Sequence, residues 1–398
     1  DQDKFKELYE RAERNTRLRK KVINATELFS MFMEERKNTG RIYLQNVDNA
    51  NSHSSFLEDV APIRQSNLCA EIDLPTKPLN DFNDEDGEIA LCTLSAINWG
   101  RIKSPEEFAK PCELAVRGLD ALLTYQDYPV KAAENATAGR RPLGVGIINL
   151  AYWMAKNGMT YTQPDLDMID TYAEAWSYYL IKASADLAEE QGACLWSNDT
   201  KYSKGLTPNQ TYKQDVDELV PHKERMPWRE LRDQLKRTGI RNSTLMALMP
   251  AETSAQISNA TNGIEPPRSL VSVKQSKHGV LKQVVPGIHK LKNKYELLWD
   301  QRSPEGYLKI MAVLQKYIDQ GISVNTSYNP VFYEDEKINM SEMLRHLMIF
   351  YKYGGKQLYY FNTYDGQGEL DIDKLAESSN ITVPEEDIAE EDCEACTI

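Results

Sequence analysis

At 398 residues, with 41% hydrophobic and 27% charged side chains, the chain has the composition of a globular protein with a sizeable core. Its net charge of −13 argues against a nucleic-acid groove, which needs a basic face, and no apolar run approaches the roughly 20 residues that span a bilayer. Six cysteines are too sparse for a secreted disulfide scaffold, which leaves a reducing cytoplasm as the expected setting. A small phosphorylated ligand remains compatible with the acidic balance, because helix N-termini bind phosphate whatever the global charge.

Residues 3–37 read as helices, with Phe5, Leu8 and Tyr9 on one face and Ala25, Leu28, Phe29 and Met31 to Met33 as a second apolar cluster. Arg17 to Lys21 reads as a solvated basic face, Thr39-Gly40 as a helix stop, and Arg41 to Gln45 as a short strand. His53 has no metal-like partner spacing and reads as structural. The stretch Gln65-Ser66-Asn67-Leu68-Cys69-Ala70-Glu71-Ile72 groups a thiol, a carboxylate and an amide at alternate positions, which an extended or looped backbone turns to one side. A carboxylate disfavours a neighbouring thiolate, so this thiol suits hydrogen-atom transfer in the protonated form, with Glu71 handling a substrate proton. A small buried cysteine in a polar loop is the plain alternative.

Ile89 to Ser95 then reads as a short buried strand carrying Cys92, and 104–126 as a helix with Leu114, Leu119 and Leu122 inward. The glycines of 139–146 lack the G-x-G-x-x-G order and are assigned to close packing. Helices follow over 148–157 and 165–191, the second carrying Tyr172, Trp176 and Tyr179, then an irregular surface excursion over 196–229 with an exposed His222. Ile240 to Met249 reads as a buried strand, and Pro250-Ala251-Glu252-Thr253-Ser254 as a turn into a helix N-terminus with capping-type hydroxyls. Helices over 305–321 and 340–353 alternate with strands near Ile322 to Thr326 and Gln357 to Phe361. From Gly366 the chain turns acidic and ends in Cys393-Glu394-Ala395-Cys396, which composition marks as a flexible tail. The chain divides into a helical lead-in (1–60), a catalytic body (61–369) and that tail (370–398).

The run NLCAEIDLPTKPLNDFNDEDGEIALCTLSAINWG closely resembles the catalytic segment of the class I ribonucleotide reductase large subunit, and so do GRRPLGVGIINLAYWMAKNG, RNSTLMALMPAETSAQISNATNGIEPPR and KQLYYFNT. The resemblance covers essentially the whole chain in order. It implies an α/β fold: the second half of a ten-stranded α/β barrel with its catalytic finger loop, surrounded by helices. It implies Cys69 as the thiyl residue, Glu71 as general base, Asn67 as a sugar-positioning amide and Cys92 as one of a reducing thiol pair. Tyr359 and Tyr360 would bring the radical in, Cys393 and Cys396 would shuttle reducing equivalents, and Pro250 to Ser254 would bind the substrate diphosphate. The implied substrate is a ribonucleoside diphosphate, reduced for DNA synthesis.

No metal-ligand cluster is legible, so the resemblance places the tyrosyl radical and its di-iron centre in a partner small subunit, with thioredoxin or glutaredoxin as reductant. The partner of Cys92 and the allosteric sites belong to an N-terminal half that does not precede Asp1, so an N-terminal partner chain is expected, covering an otherwise exposed half-barrel. Cys112 and Cys194 look structural, and the tail pair is spaced more tightly than in bacterial members. A non-catalytic assembly subunit that keeps the fold is the rival reading, and a stand-alone thiol–disulfide exchanger a third.

Overall fold

The structure, a computed structural model, describes residues 2–82, 84–276 and 279–365. The segment 370–398, with Cys393 and Cys396, lies outside the described residues.

Among the described residues eight strands run in chain order: β1 (Leu44–Gln45), β2 (Leu94–Asn98), β3 (Gly144–Ile148), β4 (Val271–Ser276), β5 (Gly279–Val284), β6 (Thr326–Tyr328), β7 (Gln357–Leu358) and β8 (Phe361–Thr363). β2 pairs parallel with β3, Leu94 opposite Gly144. β3 continues the parallel order to the 245–248 segment through the Val145–Met246 bridge, and that segment to Ile322 through Leu248. β6 then pairs parallel with β8, after Tyr359 N donates to Val324 O at 2.7 Å. Five parallel segments therefore lie side by side, as expected of half an α/β barrel. β1 and β7 form a separate antiparallel pair, and β4 and β5 a hairpin.

The core lies between this parallel array and the helices. The 26-residue helix Leu166–Gln191 is its spine. Asp165 caps it, its side chain accepting from Met168 N, and Gly192 ends it at φ 86°. Its Tyr172 and Trp176 pack with Trp99, Phe108 and Trp153, all buried, so truncating Trp176 would cost about 3–5 kcal/mol. The buried charges on this helix are paired: Asp170 with Lys316 at 2.8 Å and Arg225 at 2.9 Å, and Glu174 with Arg225 at 3.0 Å.

Several sequence expectations change. In the helix Ala109–Tyr125 the buried stripe is Cys112, Val116, Leu119 and Leu123, while Leu114 and Leu122 are exposed on the other face. The strand expected over 89–95 starts at Leu94, so Cys92 precedes it in a loop. The 240–249 strand is buried but reduced to two isolated bridges, and the 305–321 helix stops at Gln315. The 196–229 excursion is no surface loop: Thr200, Tyr202, Thr207, Val216 and Trp228 are buried, and its short turns join the main core, although His222 is exposed. Its polar side chains hid the burial, because they bond to one another and to the spine helix. No helix among the described residues is long and apolar enough to cross a membrane.

Candidate active site

Residues 67–71 do not run extended. Ala70 takes φ 58°, its N–H donates to Asn67 O at 3.1 Å, and Asn67 Oδ1 accepts from Glu71 N at 3.0 Å and Ile72 N at 3.1 Å. Asn67 therefore closes a turn, and the turn rather than strand alternation brings Cys69 and Glu71 together. Leu68 stands exposed at its tip. The loop is anchored on the fourth parallel segment: Gly321 N donates to Glu71 O at 2.8 Å, and Ser323 Oγ donates to Cys69 O and, at 3.2 Å, to Glu71 Oε2.

Glu71 is buried, and its Oε1 accepts from Cys92 Sγ at 3.9 Å. Burial pushes the Glu71 carboxyl above its usual range, against hydrogen bonds from Asn67, Ser323 and Cys92. Burial and then the Glu71 charge raise the Cys69 thiol, against a hydrogen bond with Tyr359. The same causes, with Cys69 added, push Cys92 up to about 12. Cys92 is exposed as a residue, facing a cleft of about 500 Å³ that Arg64, Asn67 and Lys77 also line, but its sulfur is turned to Glu71. Both sulfurs are held as thiols at neutral pH, which disables them as nucleophiles and suits them to hydrogen-atom exchange.

Tyr359 and Tyr360 fall in the gap between β7 and β8. Adjacent residues of an intact strand would point to opposite faces. The break lets both rings turn together, with centroids 3.9 Å apart. Tyr359 is buried beside Cys69, and Tyr360 is 37% exposed, its N–H held by Asn325 Oδ1 at 3.0 Å. A third ring, Tyr43, packs against both, tilted at 4.6 Å from Tyr359 and edge-on at 5.7 Å from Tyr360. Burial raises the phenols of Tyr43 and Tyr359, so both stay protonated at neutral pH. The buried Arg36 donates through one Nη to the carbonyls of Arg41, Ile42 and Tyr359, tying the Tyr43 lead-in to the tyrosine break.

Sequence reading missed Tyr43, Ser323 and Arg36, since only the fold brings them to the site. The remaining candidates are more distant from this cluster or structural. Glu252, Thr253 and Ser254 are exposed in the short helix Glu252–Ile257, just past the third parallel segment. Its cap position is Ala251, with no side-chain bond, so the expected capping by Thr253 or Ser254 is replaced by Ala251 N donating to Asn262 Oδ1 at 3.2 Å. Cys112 and Cys194 are buried in packing roles, and His53 is enclosed between Thr211 Oγ1 and Gln315 O. Among the described residues no group of three or more His, Cys, Asp or Glu could hold a metal ion.

Comparison with known proteins identifies the family. The family model "Ribonucleotide reductase, barrel domain" matches residues 1–361. The chain is 55% identical over 374 residues to the ribonucleoside-diphosphate reductase subunit alpha of Haemophilus influenzae, covering 94% of this chain and 50% of that protein. It is 51% identical to the subunit 1 alpha of Escherichia coli, covering 94% and 49%, and 44% identical to the subunit alpha of Enterobacteria phage T4, covering 100% and 51%. The chain thus spans about half the length of the curated relatives it matches. A solved class Id ribonucleotide reductase alpha subunit from Actinobacillus ureae superposes with a TM-score of 0.64 at 19% identity, covering 85% of this chain and 61% of that one, which shows the shared fold.

Proposed function

Because this chain belongs to the ribonucleotide reductase barrel-domain family, we propose that it is the catalytic C-terminal portion of a ribonucleoside-diphosphate reductase large subunit. It would work with a chain supplying the N-terminal half and with a radical-generating small subunit, and be active only in that complex. The observation that carries the reading is the convergence of two protonated thiols on one buried carboxylate, with a packed tyrosine trio beside the first thiol.

Hydroxide leaves a saturated sugar carbon poorly, and a radical at C3′ makes departure of a protonated 2′-oxygen accessible. One oxidising equivalent would come from the tyrosyl radical and di-iron centre expected of a partner small subunit. Tyr360, then Tyr359, relay it, each losing a proton with its electron, and Cys69 gives up its S–H hydrogen to become a thiyl radical. Cys69 then takes the 3′-hydrogen. Glu71 accepts the 3′-hydroxyl proton, a task its raised carboxyl suits, and Asn67 and Ser323 hold that carboxylate in place. The 2′-oxygen leaves as water with a proton from the thiol pair of which Cys92 is one member. That pair gives its second hydrogen to C2′ and closes to a disulfide, its two electrons reducing the sugar, while Glu71 returns its proton to the 3′-oxygen and Cys69 returns hydrogen to C3′. Cys393 and Cys396 would reopen the disulfide by exchange, themselves re-reduced by thioredoxin or glutaredoxin. The 250–254 segment, at the C-terminal end of a parallel segment where α/β sheets hold ligands, is the candidate for the substrate diphosphate.

The test is Cys69→Ser in the reconstituted complex with radical-loaded small subunit. Deoxynucleotide formation should vanish, because an O–H bond is too strong for a phenoxyl radical to break readily. Substantial turnover by the serine variant would sink the thiyl assignment.

A further inference from the structure

We propose that Asp73 is a positioning residue: through Gln357 and Gln45 it sets the register of Cys69 against Tyr359 and Tyr43. The inference rests on the reductase reading and extends it to how radical transfer is held in geometry.

Asp73 is 0% exposed and lies four residues beyond Cys69 on the finger loop. Its Oδ1 accepts from Gln357 Nε2 at 2.6 Å and from Gln45 Nε2 at 3.3 Å. Those two glutamines face each other across the β1–β7 pair. Gln357 precedes Tyr359 by two residues and Gln45 follows Tyr43 by two, so one oxygen fixes three segments, which carry Cys69, Tyr359 and the Tyr43 ring packed against it. Gly321 makes room for the junction: a Cβ there would lie 2.2 Å from Gln357 Oε1, and its N–H holds Glu71 O.

A buried carboxylate is costly beside an apolar side chain of equal volume, and the best-attested return for such a group is register. The chain also provides a balancing cation. Lys356, fully buried next to Gln357, donates to the carbonyls of His53, Asp319 and Gln320 and sits close enough to Asp73 to stabilise its charge. Asp73 Oδ2 and Gln357 Oε1 have no partner of their own, so the pairing is not saturated and an amide at 73 can still engage Gln357 by a flip. None of these groups lies in the Cys92 cleft, and the Asp73 carboxylate acts on chemistry only through the segments it joins.

The experiment uses the complete complex with 3-aminotyrosine at position 359, whose radical is trapped during turnover. Its β-methylene hyperfine couplings in electron paramagnetic resonance report the orientation of that side chain. Asp73→Ala and Gln357→Leu should each lower kcat at least tenfold, leave the KM for nucleoside diphosphate within twofold, and change the couplings. Asp73→Asn should recover most of the rate and the original couplings. The inference is overturned if kcat holds in both disruptive variants, or if it falls with couplings unchanged, which would mean Asp73 merely holds the core together. Should Asp73→Ala fail to fold, Gln357→Leu and Asp73→Asn decide alone. An inactive wild-type complex would instead sink the reductase reading and this inference with it, whereas an active wild type with insensitive variants sinks this inference only.

Discussion

Replacing Glu71 with Gln keeps the volume and removes the charge that the site places between two sulfurs. Two unit charges 3.9 Å apart interact by about 4 kcal/mol at an effective dielectric of about 20, equivalent to about three pH units. Burial is the larger cause of the raised Cys92 thiol, and solvent at an exposed residue screens the charge. Removing it should therefore lower that thiol by about one to two pH units. The thiolate fraction near neutral pH would rise about 10- to 100-fold, but nucleophilicity falls with pKa, with a Brønsted slope of about 0.4–0.5. The net gain in alkylation rate is then about 3- to 15-fold. The assay is iodoacetamide labelling of the reduced, folded protein at about pH 8, with the Cys92 peptide quantified by mass spectrometry. Cys112 and Cys194, buried in packing roles, are internal references and should not change. Cys69 should gain in the same direction, since the Glu71 charge raises it too. An unchanged or slower Cys92 rate in the Gln variant would refute the claim that Glu71 holds this sulfur protonated.

Two further outcomes follow from the packing. Tyr43→Phe keeps the ring stack and removes one hydroxyl, so thermal stability should fall by about 1 kcal/mol at most, while turnover of the complex falls by a larger factor; equal turnover would make Tyr43 packing only. Gly321→Ala puts a methyl 2.2 Å from the buried Gln357 Oε1, and such overpacking should cost about 1–3 kcal/mol, read as a lower urea midpoint; an unshifted midpoint would show that Gln357 can move aside.

What was legible in the sequence was local chemistry. Cys69 and Glu71 stand two residues apart, and a carboxylate beside a thiol has one electrostatic consequence wherever the loop sits. The backbone that brings them together was read only as extended or looped, and the structure makes it a turn that Asn67 closes and in which Ala70 goes left-handed. Tyr43 and Ser323 were invisible for a different reason. Their contacts come from pairings such as Asp73 to Gln357, 284 residues apart in sequence, which no local pattern encodes. The tyrosine pair was legible as residues, while its ring-to-ring contact depends on the strand breaking between Leu358 and Phe361. In the helix Ala109–Tyr125, leucine identity misled: the i, i+4, i+7, i+11 stripe starting at Cys112 is the buried one, and Leu114 and Leu122 line a second apolar face with Tyr125.

The distribution of charge around the site has its own logic. Moving an oxidising equivalent between phenols and a thiol is easiest when no fixed charge changes along the way, so each donor should start neutral and lose its proton with its electron. Burial does this for Tyr43, Tyr359 and Cys69 alike. A nearby cation would oppose oxidation of a phenol, yet Arg36 is buried against the Tyr359 backbone. Its charge is met by the negative ends of three carbonyl dipoles, as that of Lys356 is met by those of His53, Asp319 and Gln320. Lys356 also faces the buried carboxylates of Asp73 and Asp319, so its charge is balanced as well as screened, and both cations can brace the strand at the tyrosine break. In the proposed chemistry the carboxylate between Cys69 and Cys92 is then the group that takes up and returns a proton.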